Sequence, residues 1–482
     1  MAIDIRKLKT DSESSIKEAM RVIDKNGLGL VLVTDKRKKF CGLATDGDVR
    51  RAVLAGCGWK TRIKDVMQKN PVVVRAGTDK EEILKLMSSK IRHIPILDEN
   101  NKIINLASYA HFFHIPVTEP EIEGKELEYV TDCIATGWVS SGGKYVKLFE
   151  DNFSEFCQTK YSIAVSNGTA ALHLALAVLG VGKGDEVIVP TLSFIATANA
   201  VSYTGAKPVF VDVQKDTWNI DPEKIKDAIT SRTKAIIPVH LYGHPADMDP
   251  ILSLAKKHKL YVIEDAAEAH GAEYKGKKVG SFPDVGCFSF FGNKIITTGE
   301  GGMITTNNPD IAQKAIILRD HGMSREKKYW HPYIGFNYRL TNIQAAIGVA
   351  QLEKIASLIK RKRENARLYS CLLKGVKGIV LPVEKKWAKS VYWMYSILVE
   401  DSYGISRDLL MRKLSERGID TRPVFYPIHI MPPYADNKKF PIAEEISRKG
   451  ISLPSAVSLK EDEIRRIAAA IKEIGRGRGK RC

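Results

Sequence analysis

Two short segments hold the residues best suited to chemistry. Lys294 closes the run Phe288-Ser289-Phe290-Phe291-Gly292-Asn293-Lys294, and Thr297-Thr298-Gly299-Glu300-Gly301-Gly302 follows it. Upstream, Tyr261-Val262-Ile263-Glu264-Asp265 ends on Asp265, with Glu268 and His270 just beyond. A lysine at the end of a β-rich run, among small residues, is partly desolvated, and desolvation lowers its pKa toward that of a nucleophilic amine. A carboxylate ending a buried apolar strand is costly unless paired, and a protonated ring nitrogen is a suitable partner. Together the two groups suit a carbonyl-bearing heteroaromatic cofactor. The amine would form the covalent bond, and the carboxylate would keep the ring an electron sink. Asp265 alone also reads as a helix N-cap, and His270 alone as a satisfied structural histidine. Alternatively, Glu268 and His270 reach the ring hydroxyl or the substrate.

Other segments would complete such a site. Val165-Ser166-Asn167-Gly168-Thr169-Ala170-Ala171 leaves a strand and enters a helix. Amides at that N-terminus, with the Thr169 hydroxyl, can cradle a phosphate, while Ser166 or Asn167 can simply cap the helix. Ser289 would add a hydroxyl. Phe194, after Pro190-Thr191-Leu192-Ser193, could stack on a flat ring, although an isolated Phe is more often core. Gly299 to Gly302 let the backbone bend tightly near the lysine.

The elements that must position these residues alternate. Glu186–Val189, Val209–Val211, Ala235–Val239 and Leu260–Ile263 read as buried strands, and helical patterns at Ala170–Leu179, Pro222–Ile229 and Asp249–Lys257 intervene. Such alternation predicts a mainly parallel, doubly wound α/β sheet, with ligands at the strands' carboxyl ends. A charged helix from Leu352 to Leu368 would lead to a smaller C-terminal α+β lobe. The expected domains are 1–114, 115–355 and 356–482, because a chain of 482 residues exceeds one core.

Net charge is +18, from 74 Lys and Arg against 56 Asp and Glu. That excess suits anionic small substrates or solvated helix faces, and no recognition helix or aromatic-basic motif points to nucleic acid. The end, Gly475-Arg476-Gly477-Arg478-Gly479-Lys480-Arg481-Cys482, reads as a disordered basic tail. Seven cysteines form no Cys-x-x-Cys pair, so neither a metal site nor a disulfide framework is expected. No apolar run approaches the ~18 residues needed to span a bilayer, and the N-terminus lacks a signal peptide's apolar core. The expectation is a cytoplasmic protein.

The first ~115 residues hold two similar helix-strand-turn-strand units. They resemble a tandem CBS pair, a module that often binds adenine nucleotides. Gly42-Leu43-Ala44-Thr45-Asp46-Gly47-Asp48 matches its signature, with Thr45 and Asp48 implied as phosphate and ribose ligands. The second copy, Asn105-Leu106-Ala107-Ser108-Tyr109-Ala110-His111, has lost the Gly and the Asp. A packing or dimerisation module with no ligand is the competing reading.

The remaining motifs resemble the sugar aminotransferases of the DegT/DnrJ/EryC1/StrS family, fold-type I enzymes that use pyridoxal 5'-phosphate. The resemblance covers nearly all of residues 115–482. It rests on Thr136-Gly137-Trp138-Val139-Ser140-Ser141-Gly142, Ser166–Ala171, Glu264–Ala267, the Lys294 run, and Gly335-Phe336-Asn337-Tyr338-Arg339-Leu340-Thr341-Asn342. It implies that Lys294 holds the cofactor covalently and shuttles protons, and that Asp265 pairs with its ring nitrogen. Gly168, Thr169 and Ser289 would bind the phosphate, with Asn337 added by the second subunit of a homodimer that shares its active sites. Phe194 would stack on the ring, and Glu268 stands where many members carry Gln. Trp138, Ser140 and Arg339 would line the sugar-nucleotide side. Tyr426 and His429, near Arg422, would touch substrate or form a structural loop.

The Phe290–Gly302 run is most similar to the perosamine-type branch. Its members aminate GDP-4-keto-6-deoxymannose with L-glutamate, a step toward surface polysaccharide such as O-antigen. A UDP- or dTDP-linked keto-sugar stays open as the acceptor. Family members with His at the lysine position are dehydratases; a lysine here favours transamination. Outside catalysis, the alternatives are a nucleotide sensor built on the CBS pair and a cofactor-binding regulator.

Overall fold

Most apolar runs in the middle of the chain become buried strands, because helices cover both faces of the sheet they join; the Val209–Val211 run, at the sheet's edge, is only half-buried until Val211. The computed structural model describes residues 5–87, 91–108, 114–282 and 284–476, and its chain divides into two units, Met1–His114 and Ile115–Cys482.

The first unit is a duplication. Its first half comprises β1 (Lys9–Asp11), α1 (Ile16–Asn26), β2 (Leu30–Thr34), β3 (Phe40–Thr45) and α2 (Asp46–Leu54). Its second half has β4 (Val74–Arg75), α3 (Lys80–Leu86), β5 (His93–Leu97) and β6 (Ile103–Ser108). The sheets run β1-β2-β3 and β4-β5-β6, each with one parallel and one antiparallel pairing. Leu30, Leu32 and Leu43 from one half pack with Leu97, Ile103 and Leu106 from the other, so each half completes its core on its twin. Tyr109 to His111 of the second signature and the tail from residue 477 lie outside the described residues.

The second unit starts with α4 (Glu126–Ala135) and α5 (Lys144–Cys157). The alternating part follows as β7 (Tyr161–Val165), α6 (Gly168–Val178), β8 (Glu186–Pro190), α7 (Ala196–Tyr203), β9 (Lys207–Val211), α8 (Pro222–Ala228), β10 (Thr233–Ile236), α9 (Met248–His258) and β11 (Tyr261–Asp265). Two short strands, β12 (Glu273–Tyr274) and β13 (Lys277–Lys278), precede β14 (Val285–Ser289), β15 (Gly302–Thr306) and α10 (Pro309–Arg319). The seven-stranded sheet has the order β7-β15-β14-β11-β10-β8-β9. Only β15 is reversed, antiparallel to β14 and β7; the other neighbours are parallel. Neighbouring residues on a strand face opposite sides. Ile163, Cys287 and Ile304 join the core around α6, while Ala164, Phe288 and Met303 join the core on the other face. The helix α6, apolar nearly all round and buried from Ala170 to Leu176, sits where no face meets water.

The charged helix expected from Leu352 to Leu368 lies almost wholly in α12 (Ile355–Leu373), which meets the preceding α11 (Asn342–Glu353) at Lys354. Beyond it lie β16 (Ile379–Val380), β17 (Ala388–Lys389), β18 (Tyr395–Val399), α13 (Arg407–Ser415), β19 (Arg422–Pro423), α14 (Pro441–Lys449), β20 (Gly450–Leu453) and α15 (Glu461–Arg476). A four-stranded antiparallel sheet, β16-β18-β20-β19, packs here with its own apolar cluster. Among the described residues no helix is long and apolar enough to cross a membrane.

Asp212, just past β9, ties this C-terminal region to the large sheet. Its buried carboxylate accepts from the amides of Ile442 and Ala443 in the first turn of α14, at 3.1 and 2.9 Å. The α14 N-cap, Phe440, offers no side-chain bond of its own. We expect Asp212→Ala to lower stability by about 1–3 kcal/mol, because both amides lose their acceptor; urea denaturation of the full chain measures it.

Candidate active site

Parallel strands end together, and the chemistry-bearing residues stand at those ends. Asp265 is the last residue of β11 and Ser289 the last of β14, while α6 starts at Gly168 just beyond β7. The loop from β14 to β15 carries Lys294 and is closed on itself. The Phe290 amide donates to the Gly301 carbonyl at 2.7 Å, and the Thr298 amide donates to the Phe290 carbonyl at 2.9 Å. The Thr297 hydroxyl donates to that same Phe290 carbonyl. Gly299 turns the loop at φ 82°, a conformation costly for residues with a Cβ.

Asp265 does not cap a helix. Its carboxylate accepts from the Thr197 hydroxyl at 2.8 Å and from the Ala267 amide at 3.2 Å. Thr197 belongs to α7 and bonds Ser193 at 3.0 Å. Burial pushes the Asp265 carboxyl above its usual range, against these hydrogen bonds. A cation placed beside it would restore the charged form. The preceding residue, Glu264, is a brace: it accepts from the amides of Gly280 and Phe282 at 2.8 and 2.9 Å. It also pairs with His240 Nε2 at 3.0 Å. Because the Ala246 amide donates to His240 Nδ1, the network assigns the His240 hydrogen to Nε2.

The Lys294 side chain is 11% exposed. Burial lowers its pKa, opposed by Glu268 and Asp265. Glu268 Oε1 lies 3.8 Å from Lys294 Nζ, and its other oxygen accepts from the Tyr242 amide at 2.8 Å. Burial pushes the Glu268 carboxyl up to about 7. Burial thus moves the lysine down and the glutamate up, while the charge of each partner opposes the other's shift. Tyr242 adopts φ 52°, rare for an aromatic residue, and this conformation accompanies its amide's bond to Glu268.

A phosphate cradle lies at the α6 N-terminus. A Cβ on Gly168 would stand 2.7 Å from Ser289 Cβ. One on Gly302 would meet the Asn167 carbonyl at 2.4 Å. Only glycines let these backbones approach so closely. Asn167 caps α6 through the Ala170 amide at 2.8 Å, so capping and cradle coexist. Thr169 is partly exposed and Ser289 is buried at 8% exposure. Amine, carboxylate and glycine cradle fit the needs of pyridoxal phosphate: Lys294 could take its aldehyde, Asp265 its ring nitrogen, and Gly168, Thr169 and Ser289 its phosphate.

Phe194 is 58% exposed at the end of β8, with its ring 5.9 Å from that of Phe425. Trp138 and Ser140 are exposed on the loop after α4. Asn342 pins that loop: its amide nitrogens donate to the carbonyls of Ser140 and Trp138. Asn337 is exposed and accepts from Arg339 Nε at 3.1 Å, while Arg339 pairs with Asp320 at 3.0 Å. Tyr426 is 55% exposed.

Four of the expected residues take structural places here. His270 is fully buried between the rings of Phe288 and Phe290, 5.4 and 5.5 Å away. Neither ring nitrogen makes a well-formed hydrogen bond, although the Ser289 backbone is near, and burial pushes its pKa down to about 3. It is a neutral packing group with no open face for substrate. His429 is 1% exposed, with one ring nitrogen on the Thr191 hydroxyl at 2.7 Å and the other on Glu444 at 3.3 Å. It docks the 428–430 turn onto β8, the structural alternative for that loop. Thr45 and Asp48 satisfy each other as a capping box on α2, and Gln68 and Arg51 take the remaining carboxylate positions.

Thr197, Tyr242 and Trp393 are the neighbours that sequence reading missed. Thr197 and Tyr242 each follow a strand end, a position that could have flagged them. Trp393 had no such signal, since it comes from the distant C-terminal region.

The profile of the DegT/DnrJ/EryC1/StrS aminotransferase family matches residues 120–472, and that of the CBS domain matches residues 4–55 and 63–117. The chain is 49% identical over 363 residues to the GDP-perosamine synthase of Escherichia coli O157:H7, covering 75% of this chain and 98% of the relative. It is 50% identical over 365 residues to that of Caulobacter vibrioides, with the same two coverages. Among solved structures, S. venezuelae DesV in complex with a ketimine intermediate matches at TM-score 0.70 and 38% identity, over 74% of this chain and 95% of that one. DesI in the presence of its TDP-sugar product matches at TM-score 0.72 and 30% identity, over 76% and 94%.

Gly168→Val fills the cradle. It should weaken pyridoxal phosphate binding about tenfold or more, since losing one or two charge-assisted hydrogen bonds costs roughly 1.5–3 kcal/mol; fluorescence titration of the stripped protein reads this. Glu268 makes a second expectation. Between the ordinary carboxyl value of 4.5 and about 7, the folded protein keeps a proton that the unfolded chain releases. Stability of the cofactor-free protein should therefore fall as pH rises through that window. In Glu268→Gln the slope should shrink, as urea midpoints at several pH values would show.

Proposed function

Because the chain belongs to the DegT/DnrJ/EryC1/StrS family of pyridoxal-phosphate-dependent sugar aminotransferases, with a tandem CBS pair before it, we propose that it transfers the amino group of L-glutamate to C4 of GDP-4-keto-6-deoxymannose, giving GDP-perosamine. The observation that carries this reading is the near-half identity to two GDP-perosamine synthases across 98% of their length. When bound, the cofactor supplies an aldehyde that accepts amino groups and a ring that stores electrons.

The chain's own residues do the rest. Lys294 Nζ would hold the cofactor through its aldehyde, and as a free amine it would hold or move a proton at Nζ. Glu268 Oε1, 3.8 Å away, exchanges a proton with that amine. The Asp265 carboxylate, oriented by Thr197, would pair with the ring nitrogen and favour its protonated form. Gly168, Thr169 and Ser289 would hold the phosphate, and Phe194 would offer a ring for stacking. In the homodimer we propose, Asn337 comes from the partner copy, and Trp138, Ser140, Arg339 and Tyr426 line the sugar-nucleotide side. The CBS pair serves as a regulatory or oligomerising appendage, with adenine nucleotide as its candidate ligand. The enzyme works in the cytoplasm, supplying amino-sugar for surface polysaccharide such as O-antigen.

Incubation with L-glutamate and GDP-, UDP- and dTDP-linked 4-keto-sugars, read by mass spectrometry, should yield amino-sugar from the GDP substrate fastest. Preference for a UDP or dTDP sugar would overturn the choice of nucleotide. The purified protein should show a visible absorbance band that borohydride abolishes, and Lys294→Ala should lack it. A wild type that binds no pyridoxal phosphate would overturn the cofactor assignment.

A further inference from the structure

Lys294 has a neighbour that neither its motif nor the roles above account for. Trp393, 4% exposed, precedes β18. Its indole N–H donates to the Asn293 carbonyl at 2.7 Å. Its ring centroid lies 4.0 Å from Lys294 Nζ. One side chain thus grips the turn before the lysine with its edge and the amine with its face.

That ring is itself held. It stacks on Tyr242 at 6.1 Å and 15°, and Tyr242 stacks on Phe425 at 5.4 Å. The strand approach is pinned as well, because the Val391 amide and the Ser390 hydroxyl both donate to the Gly243 carbonyl. Gly243, at φ 93°, leaves no room for a Cβ: the Trp393 amide nitrogen would stand 2.9 Å from it. The same Tyr242 that stacks on Trp393 gives its amide to Glu268. Trp393 and Glu268, which both lie beside the amine, are therefore placed by one residue.

An ammonium over an indole face gains electrostatic energy, and more where water is excluded. Burial works the other way on Lys294. The titratable groups around the amine are Glu268, Asp265 and neutral His270, with Lys362, Glu119 and Glu121 lining a small cavity beside it.

We propose that Trp393 is a positioning residue that parks the free Lys294 amine as an ammonium on its indole face, beside Glu268, while its N–H locks the Asn293 turn. The proposal rests on Lys294 being the cofactor-binding lysine. The amine then returns to one place, charged, whenever it carries no covalent bond.

The test uses cofactor-stripped full-length protein. Competitive acetylation of Lys294 across a pH series, read by peptide mass spectrometry, gives the ionisation midpoint of its amine without recourse to activity. Trp393→Leu should lower that midpoint by about one pH unit, the scale of a desolvated cation–π contact. Trp393→Phe, which keeps a ring, should restore most of it. Wild type carrying 5-fluorotryptophan, isosteric but electron-poor, should show a smaller downward shift that vanishes in the Trp393→Phe background. The fluorinated protein decides the matter should Trp393→Leu fail to fold. An unmoved midpoint in the fluorinated wild type, or equal shifts in the Leu and Phe variants, would overturn the proposal. Borohydride trapping of pyridoxal phosphate on the Lys294 peptide separates the premises: trapping without a midpoint shift defeats Trp393 alone, and no trapping at Lys294 defeats the reading beneath it.

Discussion

A lysine amine and two carboxylates share one nearly dry space at the ends of the parallel strands, and the structure around them exists to make that arrangement tolerable. Each charge alone would carry a large desolvation cost. Together Lys294, Glu268 and Asp265 offset one another in part, and burial drives each toward its neutral form. Such a cluster is stable only when every remaining oxygen finds a donor. Thr197, the Ala267 amide and the Tyr242 amide supply them. A cationic ring nitrogen and a phosphate would add charges that this site is built to receive.

The sheet makes the cluster possible. Parallel β7, β8, β11 and β14 release their chains on one side, so loops distant in sequence converge there. The antiparallel β15 closes the Lys294 loop as a hairpin-like return, which fixes the lysine more tightly than a crossover would. Behind Asp265, Glu264 binds the segment before β14 to the segment after β10. Adjacent residues on one strand thus face opposite ways: Glu264 into the scaffold and Asp265 into the site. From the C-terminal region, Trp393 and Phe425 complete a column of rings that reaches toward Phe194.

Much of this was legible in one dimension. Apolar runs of four or five residues between helical patterns specify buried parallel strands, since nothing else buries them on both faces. Gly168 and Lys294 announced themselves because glycine at a strand-to-helix turn and lysine in a glycine-rich loop are unusual choices. The histidines left two readings open for the opposite reason. An imidazole has the same letter whether it is packed between Phe288 and Phe290, bonded at both nitrogens like His429, or catalytic, and only its surroundings separate these cases. Thr45 and Asp48 show a similar degeneracy, because the spacing that places a hydroxyl and a carboxylate for a nucleotide also makes a helix capping box. The helix break at Lys354 carried no Pro or Gly to mark it.

What the sequence determined by itself was the class of chemistry, the alternating sheet and the duplicated N-terminal unit, because each is written in local spacing and periodicity. The tertiary structure alone decided which polar groups meet. It brought Tyr242 to Glu268, Thr197 to Asp265 and Trp393 to Lys294 across separations of 26, 68 and nearly 100 residues. Those pairings surround the Lys294 amine and the Asp265 carboxylate. They depend on the order of strands in the sheet and on the return of the C-terminal region to its edge, and no local pattern encodes either.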